Sequence, residues 1–167
     1  MPTKIKYFYP NIEQLSSDLS DNILKLNELN KPALGAIINL DNLIKLYNQS
    51  AFVICVFKSK ILTSFAIVMD ESSTYKSPNY LYFKNKFPQF LYVDRIAVTQ
   101  KHQRKGIGSL IYSEIFQLGI KMNAPICCEV NTKPLNQKSL NFHKKNNFRI
   151  IDEVPFVKKS VAMMVKR

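Results

Sequence analysis

Gln103-Arg104-Lys105-Gly106-Ile107-Gly108 stands between an apolar run and a stripe of helically spaced apolar residues. The run is Phe90-Leu91-Tyr92-Val93-Asp94-Arg95-Ile96-Ala97-Val98, which reads as a strand. The stripe is Ile107, Leu110, Ile111, Ile115 and Leu118, which reads as an amphipathic helix beginning near Gly106. Glycine at a helix start lets backbone N–H groups approach an anion with no side chain in the way. The positive end of the helix dipole and its unpaired donors then hold a phosphate. The chain has four glycines, and two of them stand here. The loop reads as a pyrophosphate cradle.

Two common phosphate loops are excluded. A dinucleotide fingerprint needs G-x-G-x-x-G, and Ile111 stands where the third glycine belongs. A nucleotide P-loop closes on Gly-Lys-Ser/Thr, whereas Gly108 is followed by Ser109-Leu110. What remains is Q-x-x-G-x-G.

The chain of 167 residues suits one domain, 1–167, able to bury a core. No run approaches the ~20 apolar residues that span a bilayer. Met1-Pro2-Thr3-Lys4-Ile5-Lys6 lacks the apolar region of a signal peptide. A soluble, cytoplasmic protein with no membrane partner is expected. Cys55, Cys127 and Cys128 are odd in number and form no C-x-x-C pair, so neither a disulfide framework nor a zinc site is indicated. All three lie in strand-like contexts and read as buried thiols. His102 and His143 are too differently placed to suggest a metal cluster.

The net charge of +12 invites a nucleic-acid reading. The lysines are scattered, however, and no RNP, KH, zinc-finger or helix-turn-helix signature is present. A basic surface equally steers small, multiply anionic ligands toward the protein. Nucleic acid is the weaker option.

Lys4 to Tyr9 reads as a first strand closed by Pro10. Ile12, Leu15 and Leu19, then Ile23, Leu26 and Leu29, have helical spacing, broken or recapped at Ser20-Asp21. Asn30-Lys31-Pro32 ends that segment, and Asp41 caps a short helix through Leu46. Ala51–Phe57 and Ile61–Met69 are strands joined by a hairpin at Lys58-Ser59-Lys60. Asp70 to Gln89 reads as a long connection of the functional or mobile kind. Beyond the phosphate loop, the helix runs to about Met122. Strands follow at Ile126–Asn131, Phe148–Glu153 and Ser160–Val165, with a helix at Asn136–Lys145. The order is β-α-α-β-β-β-α-β-α-β-β.

A second motif lies downstream. Glu129-Val130-Asn131 is followed by Asn136-x-x-Ser139-x-x-Phe142-His143-x-x-Asn146-Asn147-Phe148. With Q-x-x-G-x-G before it, this resembles the GNAT superfamily of N-acetyltransferases, where a strand precedes a helix patterned N-x-x-A/S-x-x-φ-Y-x-x-x-G-F. Asn147 replaces the glycine, a mild departure because asparagine tolerates the left-handed conformation that ends a helix. The resemblance covers about Ala51 to Val165 and extends more loosely over the N-terminal helices. Tyr92 to Val98 and Glu129 to His143 are similar to a subgroup of predicted GNAT acetyltransferases with no assigned acceptor.

The resemblance implies an α/β (α+β) fold with a mixed, mostly antiparallel central sheet, splayed between strands 4 and 5 and flanked by helices. It implies acetyl-CoA as donor and a primary amine of a small molecule or peptide as acceptor. Ile96, Ala97 and Val98 would leave backbone groups free at the splay to bond the pantetheine and polarise the thioester carbonyl. Gln103, Arg104, Lys105, Gly106, Ile107, Gly108 and Ser109 would hold the pyrophosphate, although Arg104 and Lys105 read equally as solvated loop cations. Asn131, Asn136 and Ser139 would touch the coenzyme arm, and Asn136 doubles as a helix N-cap.

An amine of pKa ~10.4 is mostly protonated at neutral pH, so a base helps. Asp94 is the first candidate, expected on one face with Tyr92 and Ile96 by strand alternation. The alternative for Asp94 is a salt bridge with a neighbouring cation or a bond fixing the long connection. Tyr92 is the second candidate, at a position where the family often has a carboxylate, and tyrosine is a poor base. His143 takes the place of the family's acid tyrosine. An imidazolium of pKa ~6.5 protonates a thiolate readily; the alternative is a ring that packs on the coenzyme and contacts nothing reactive. His102 reads as an exposed loop residue.

The acceptor site is expected among the N-terminal helices, Asn30–Leu40 and Asp70–Gln89. Tyr75, Tyr80, Tyr82, Phe83 and Phe87 would close over an acceptor, join a homodimer interface or pack as a flap on the core. A non-catalytic module sensing acyl-CoA is the second functional reading, prompted by the tyrosine at position 92.

Overall fold

The computed structural model describes residues 2–167. The strands are β1 (Thr3–Phe8), β2 (Phe52–Lys58), β3 (Ile61–Asp70), β4 (Leu91–Val98), β5 (Ile126–Lys133), β6 (Arg149–Pro155) and β7 (Ser160–Lys166). The helices are α1 (Ser17–Leu29), α2 (Leu40–Gln49), α3 (Pro78–Lys86), α4 (Ile107–Met122) and α5 (Gln137–Lys145), with a 3₁₀ turn at Gln100–His102. β2 and β3 are buried along most of their length because helices cover both faces of the sheet. One face packs Phe65, Ile67 and Tyr92 with Ile23 of α1, Leu43 of α2 and Tyr80 of α3. The other packs Ile54, Val68 and Leu91 with Ile111 and Ile115 of α4 and Leu140 of α5. Among the described residues no helix is long and apolar enough to cross a membrane.

The seven strands lie in the order β1-β2-β3-β4-β5-β7-β6, and every neighbouring pair is antiparallel except β4 and β5. This is the splayed, mostly antiparallel sheet expected above. The β2–β3 hairpin turns on Ser59 and Lys60, with φ of 50° and 69°. Two left-handed residues give the twist that matches the flanking strands. β4 and β5 pair only at Leu91–Ile126 and Tyr92–Cys127. Beyond Tyr92 the strands part, and the β5-facing backbone of Val93 to Val98 has no strand partner.

Four local expectations are corrected. Ser16 caps α1 by accepting from the Leu19 N–H, and the helix runs unbroken for 13 residues. Ser20 does not break it, because its small side chain sits buried against the core. Ile12 lies ahead of that helix and is exposed. The cap of α2 is Asn39, accepting from Asn42, while Asp41 lies in the first turn beside the positive helix end. The connection from Asp70 to Gln89 contains α3, which starts on Pro78 and buries Tyr80 and Phe83 completely. The Tyr80 hydroxyl donates to the Asp70 carbonyl at 2.8 Å, fastening α3 to the end of β3.

The fourth correction bears on the site. Ile67 of β3 faces Arg95, but the next residue, Val68, faces Val93, so Asp94 is an extra residue bulged out of β4. The bulge inverts the alternation. Tyr92 packs toward α1 and Ile96 toward α4, on opposite faces of the sheet.

Candidate functional site

A cleft of about 270 Å³ opens where β4 and β5 part. Glu129 of β5 lines it, and the Tyr92 hydroxyl donates to Glu129 Oε2 across the gap at 2.7 Å. Asn79 of α3 also bonds the Glu129 carboxylate, while its own Oδ1 is buried without a partner at the cleft wall. Burial pushes the Glu129 carboxyl up to about 7, and the charge of Asp94 adds to the rise. The bonds from Tyr92 and Asn79 oppose it. Burial, then the charges of Glu129 and Asp94, raise Tyr92 far enough to keep it a neutral donor.

Asp94 is held by its neighbour: Arg95 Nε donates to Oδ2 at 2.7 Å. Arg95 Nη1 in turn donates to Asn27 Oδ1 at 2.9 Å and to the Gly35 carbonyl at 3.0 Å. The bulge therefore anchors this wall to α1 and to the loop that follows it. Tyr75 hydrogen-bonds the Asp94 carboxylate from the far side.

His143 is buried, with Nδ1 2.8 Å from the Ser139 carbonyl and Nε2 2.7 Å from the Tyr112 hydroxyl. A carbonyl oxygen only accepts, so Nδ1 carries the hydrogen and Nε2 receives that of Tyr112. Burial lowers the His143 pKa. Both ring nitrogens are occupied, and burial favours the neutral imidazole over the imidazolium. The Tyr112 hydroxyl also bonds the Cys128 thiol.

At the head of α4 the chain turns through two left-handed residues, Arg104 at φ 57° and Gly106 at φ 81°. The first helical bond runs from the Leu110 N–H to the Gly106 carbonyl, at 2.9 Å. The N–H groups of Ile107, Gly108 and Ser109 have no place in the helical ladder. Arg104 and Lys105 are exposed beside them. Gly108 answers a different need: a Cβ there would lie 2.8 Å from Phe142 Cζ, so its absence lets α4 close on α5. The residues present thus fit a diphosphate, with a glycine at the start of the helix, three open donors and two cations.

Residues 43–148 match the model of the Acetyltransferase (GNAT) family. The chain belongs to that family. No curated protein sequence matches it. Its fold is similar to that of an N-acetyltransferase from Staphylococcus aureus Mu50, with 16% identity, TM-score 0.70 and coverage of 99% of this chain and 98% of that one. It is similar to yncA from Salmonella typhimurium, solved with its cofactor acetyl-CoA, with 15% identity, TM-score 0.68 and coverage of 99% and 93%. It is also similar to Chaetomium thermophilum Naa20 in complex with a bisubstrate analogue, with 17% identity, TM-score 0.70 and coverage of 98% and 85%.

Within this GNAT fold, Asp94, Ile96, Asn131, Asn136, Ser139 and His143 line the one cleft. Tyr92 reaches it from beneath through Glu129, and Ala97 is buried, its carbonyl accepting from Ser64 Oγ at 2.6 Å. Val98 lies farther along β4, where its carbonyl receives Gln103 Nε2 at 3.2 Å. The 103–109 loop does not line the cleft. It stands at the head of α4, five residues before Tyr112, or about 7–8 Å along the axis. Asn136 caps α5, with Oδ1 accepting from the Ser139 N–H at 3.1 Å. His102 pairs with Thr99 Oγ1 at 2.8 Å. All three cysteines are free and buried, and burial pushes Cys55 up to about 12.

Glu129, Asn79 and Tyr112 join the site through the fold. Glu129 left a signal, being the one charge in the otherwise apolar Ile126–Val130. Asn79 left none, because α3 itself was not visible.

Proposed function

We propose that this chain is an acetyl-CoA-dependent N-acetyltransferase, acting as one domain over residues 1–167 on a primary amine of a small molecule or peptide. The observation that carries the reading is the Glu129 carboxylate, held 2.7 Å from the Tyr92 hydroxyl in the gap between β4 and β5, where burial pushes it up to about 7. That value suits a general base working near neutrality.

Acetyl-CoA, when bound, supplies an activated acetyl group on a thioester. The open N–H groups of Ile107 to Ser109, with Gln103, Arg104 and Lys105, hold its diphosphate. The β5-facing backbone groups of β4 along Ile96, Ala97 and Val98, those that pair with no strand, hold and orient the pantetheine arm together with Asn131, Asn136 and Ser139. Glu129 Oε2 takes a proton from the acceptor ammonium, directly or through water. Asn79 is a positioning residue, holding the Glu129 carboxylate by its amide. Asp94, fixed by Arg95, contributes the negative potential that draws a cationic amine into the cleft. Tyr92 is a positioning residue, acting through its bond to Glu129. The Tyr112 hydroxyl, bonded to His143 on the wall of the cleft, fixes the sulfur side of the site, and the thiolate takes the second amine proton as it leaves. His143 orients that hydroxyl.

Thiol release from acetyl-CoA across a panel of primary amines tests the reading. Wild type is expected to turn over at least one amine. Glu129→Gln is expected to lose about 10²–10⁴-fold in kcat, with CoA affinity kept within about threefold. Saturable CoA binding without turnover of any amine would instead establish the acyl-CoA sensor.

A further inference from the structure

A second cavity, of about 680 Å³, lies at the opposite end of β5 from the acetyl-transfer cleft. Register fixes its place. Val165 pairs with Cys127 at the start of β5 and with Arg149 at the start of β6, whereas Glu129 and Asn131 lie toward the other end. The ends of α3 and α5 complete it with Lys86, Phe87, Lys144 and Asn147.

Four cations form the rim: Lys86, Lys144, Arg149 and Arg167. No aspartate or glutamate lines the cavity, and the ion pairs found among the described residues, Lys31–Glu28 and Arg95–Asp94, involve none of the four. Lys86 and Lys144 sit in the last turns of helices, where a cation offsets the dipole. Arg149 and Arg167 have no helix end to serve, and the Arg167 guanidinium is held 5.6 Å over the Phe87 ring. Beneath the rim the floor is apolar: Phe148 and Val165 are buried, Phe87 is half-buried, and Ile151 is open. Four like charges around one hollow repel one another, and a bound polyanion relieves that repulsion. The volume falls within the range of small-molecule sites.

We propose that this cavity is a mononucleotide site, separate from the coenzyme cleft, with the phosphates on the Lys86–Lys144–Arg149 rim and the base on the apolar floor against the stacked Arg167–Phe87 pair. Arginine suits phosphate through bidentate bonding, and an aromatic face suits any base. Phosphate alone would satisfy the rim but leave the floor unused. The Asn147 amide at the cavity edge adds both a donor and an acceptor for the base.

The test is titration of ATP into the full chain with CoA held saturating, so that the first cleft cannot take up the probe. Saturable, salt-sensitive binding with Kd below about 0.5 mM is expected. The double substitution Arg149→Glu, Arg167→Glu is expected to weaken it at least tenfold while CoA affinity stays within twofold. Both arginines are exposed, and Lys144→Glu alone, with an unchanged melting temperature, is expected to give a loss of about threefold. Two results would each overturn the assignment: no saturation by 5 mM ATP, or tripolyphosphate binding as tightly as ATP. An RNA hexamer binding ten times tighter than ATP would also overturn it.

Discussion

Across the open gap a tyrosine hydroxyl and a carboxylate meet at 2.7 Å, and burial raises the titration of both. Glu129 is a base only when ionised, so kcat/KM is expected to rise with pH through a limb near 7. Glu129→Gln removes that limb. Tyr92→Phe removes a bond that holds the Glu129 value down, and the limb is then expected to move to higher pH. A pH profile of the two variants against wild type checks both. Stability runs the other way. The folded-state value stands above the ordinary 4.5, so the fold favours the neutral acid and loses stability as pH rises from about 4.5 to about 7. Glu129→Gln is therefore expected to melt about 3–6 °C higher than wild type at pH 8, a gain of about 1–2 kcal/mol, with the difference gone below pH 4. A larger difference in acid would contradict the assignment. The charge of Glu129 within an apolar strand was readable from sequence. Its donor, 37 residues away on a strand that pairs with β5 over two residues, was not.

Among the elements, α4 shows why two nearby glycines are not interchangeable. Gly106 lies at φ 81°, so Gly106→Val is expected to cost about 1–2 kcal/mol in strain and at least tenfold in CoA affinity by calorimetry. Gly108→Ala presses a methyl group on Phe142, with an expected loss of about 1–2 kcal/mol that Phe142→Leu largely restores. Denaturant melts of the two single variants and the pair decide that point. Both helices that carry the family motifs were legible, because aliphatic stripes and caps mark them. α3 was not: Tyr80 and Phe83, three residues apart between prolines, look like an aromatic loop until the sheet beneath buries them. The bulge at Asp94 was equally hidden, since strand alternation is a property of one chain segment and a bulge is a relation between two.

For the molecule as a whole, the charge of +12 governs encounter more than fold. The association rate of CoA is expected to fall several-fold between 20 and 200 mM salt, while dissociation changes little, by stopped-flow measurement. Two plates of sheet, four strands on one and three on the other, are riveted at just two residue pairs. A molecule wedged into the mouth supplies the fastening that the missing ladder does not. Deuterium uptake at the amides of residues 93–98 is therefore expected to slow when CoA binds, far more than uptake in β2 or β3, which are already clamped on both edges.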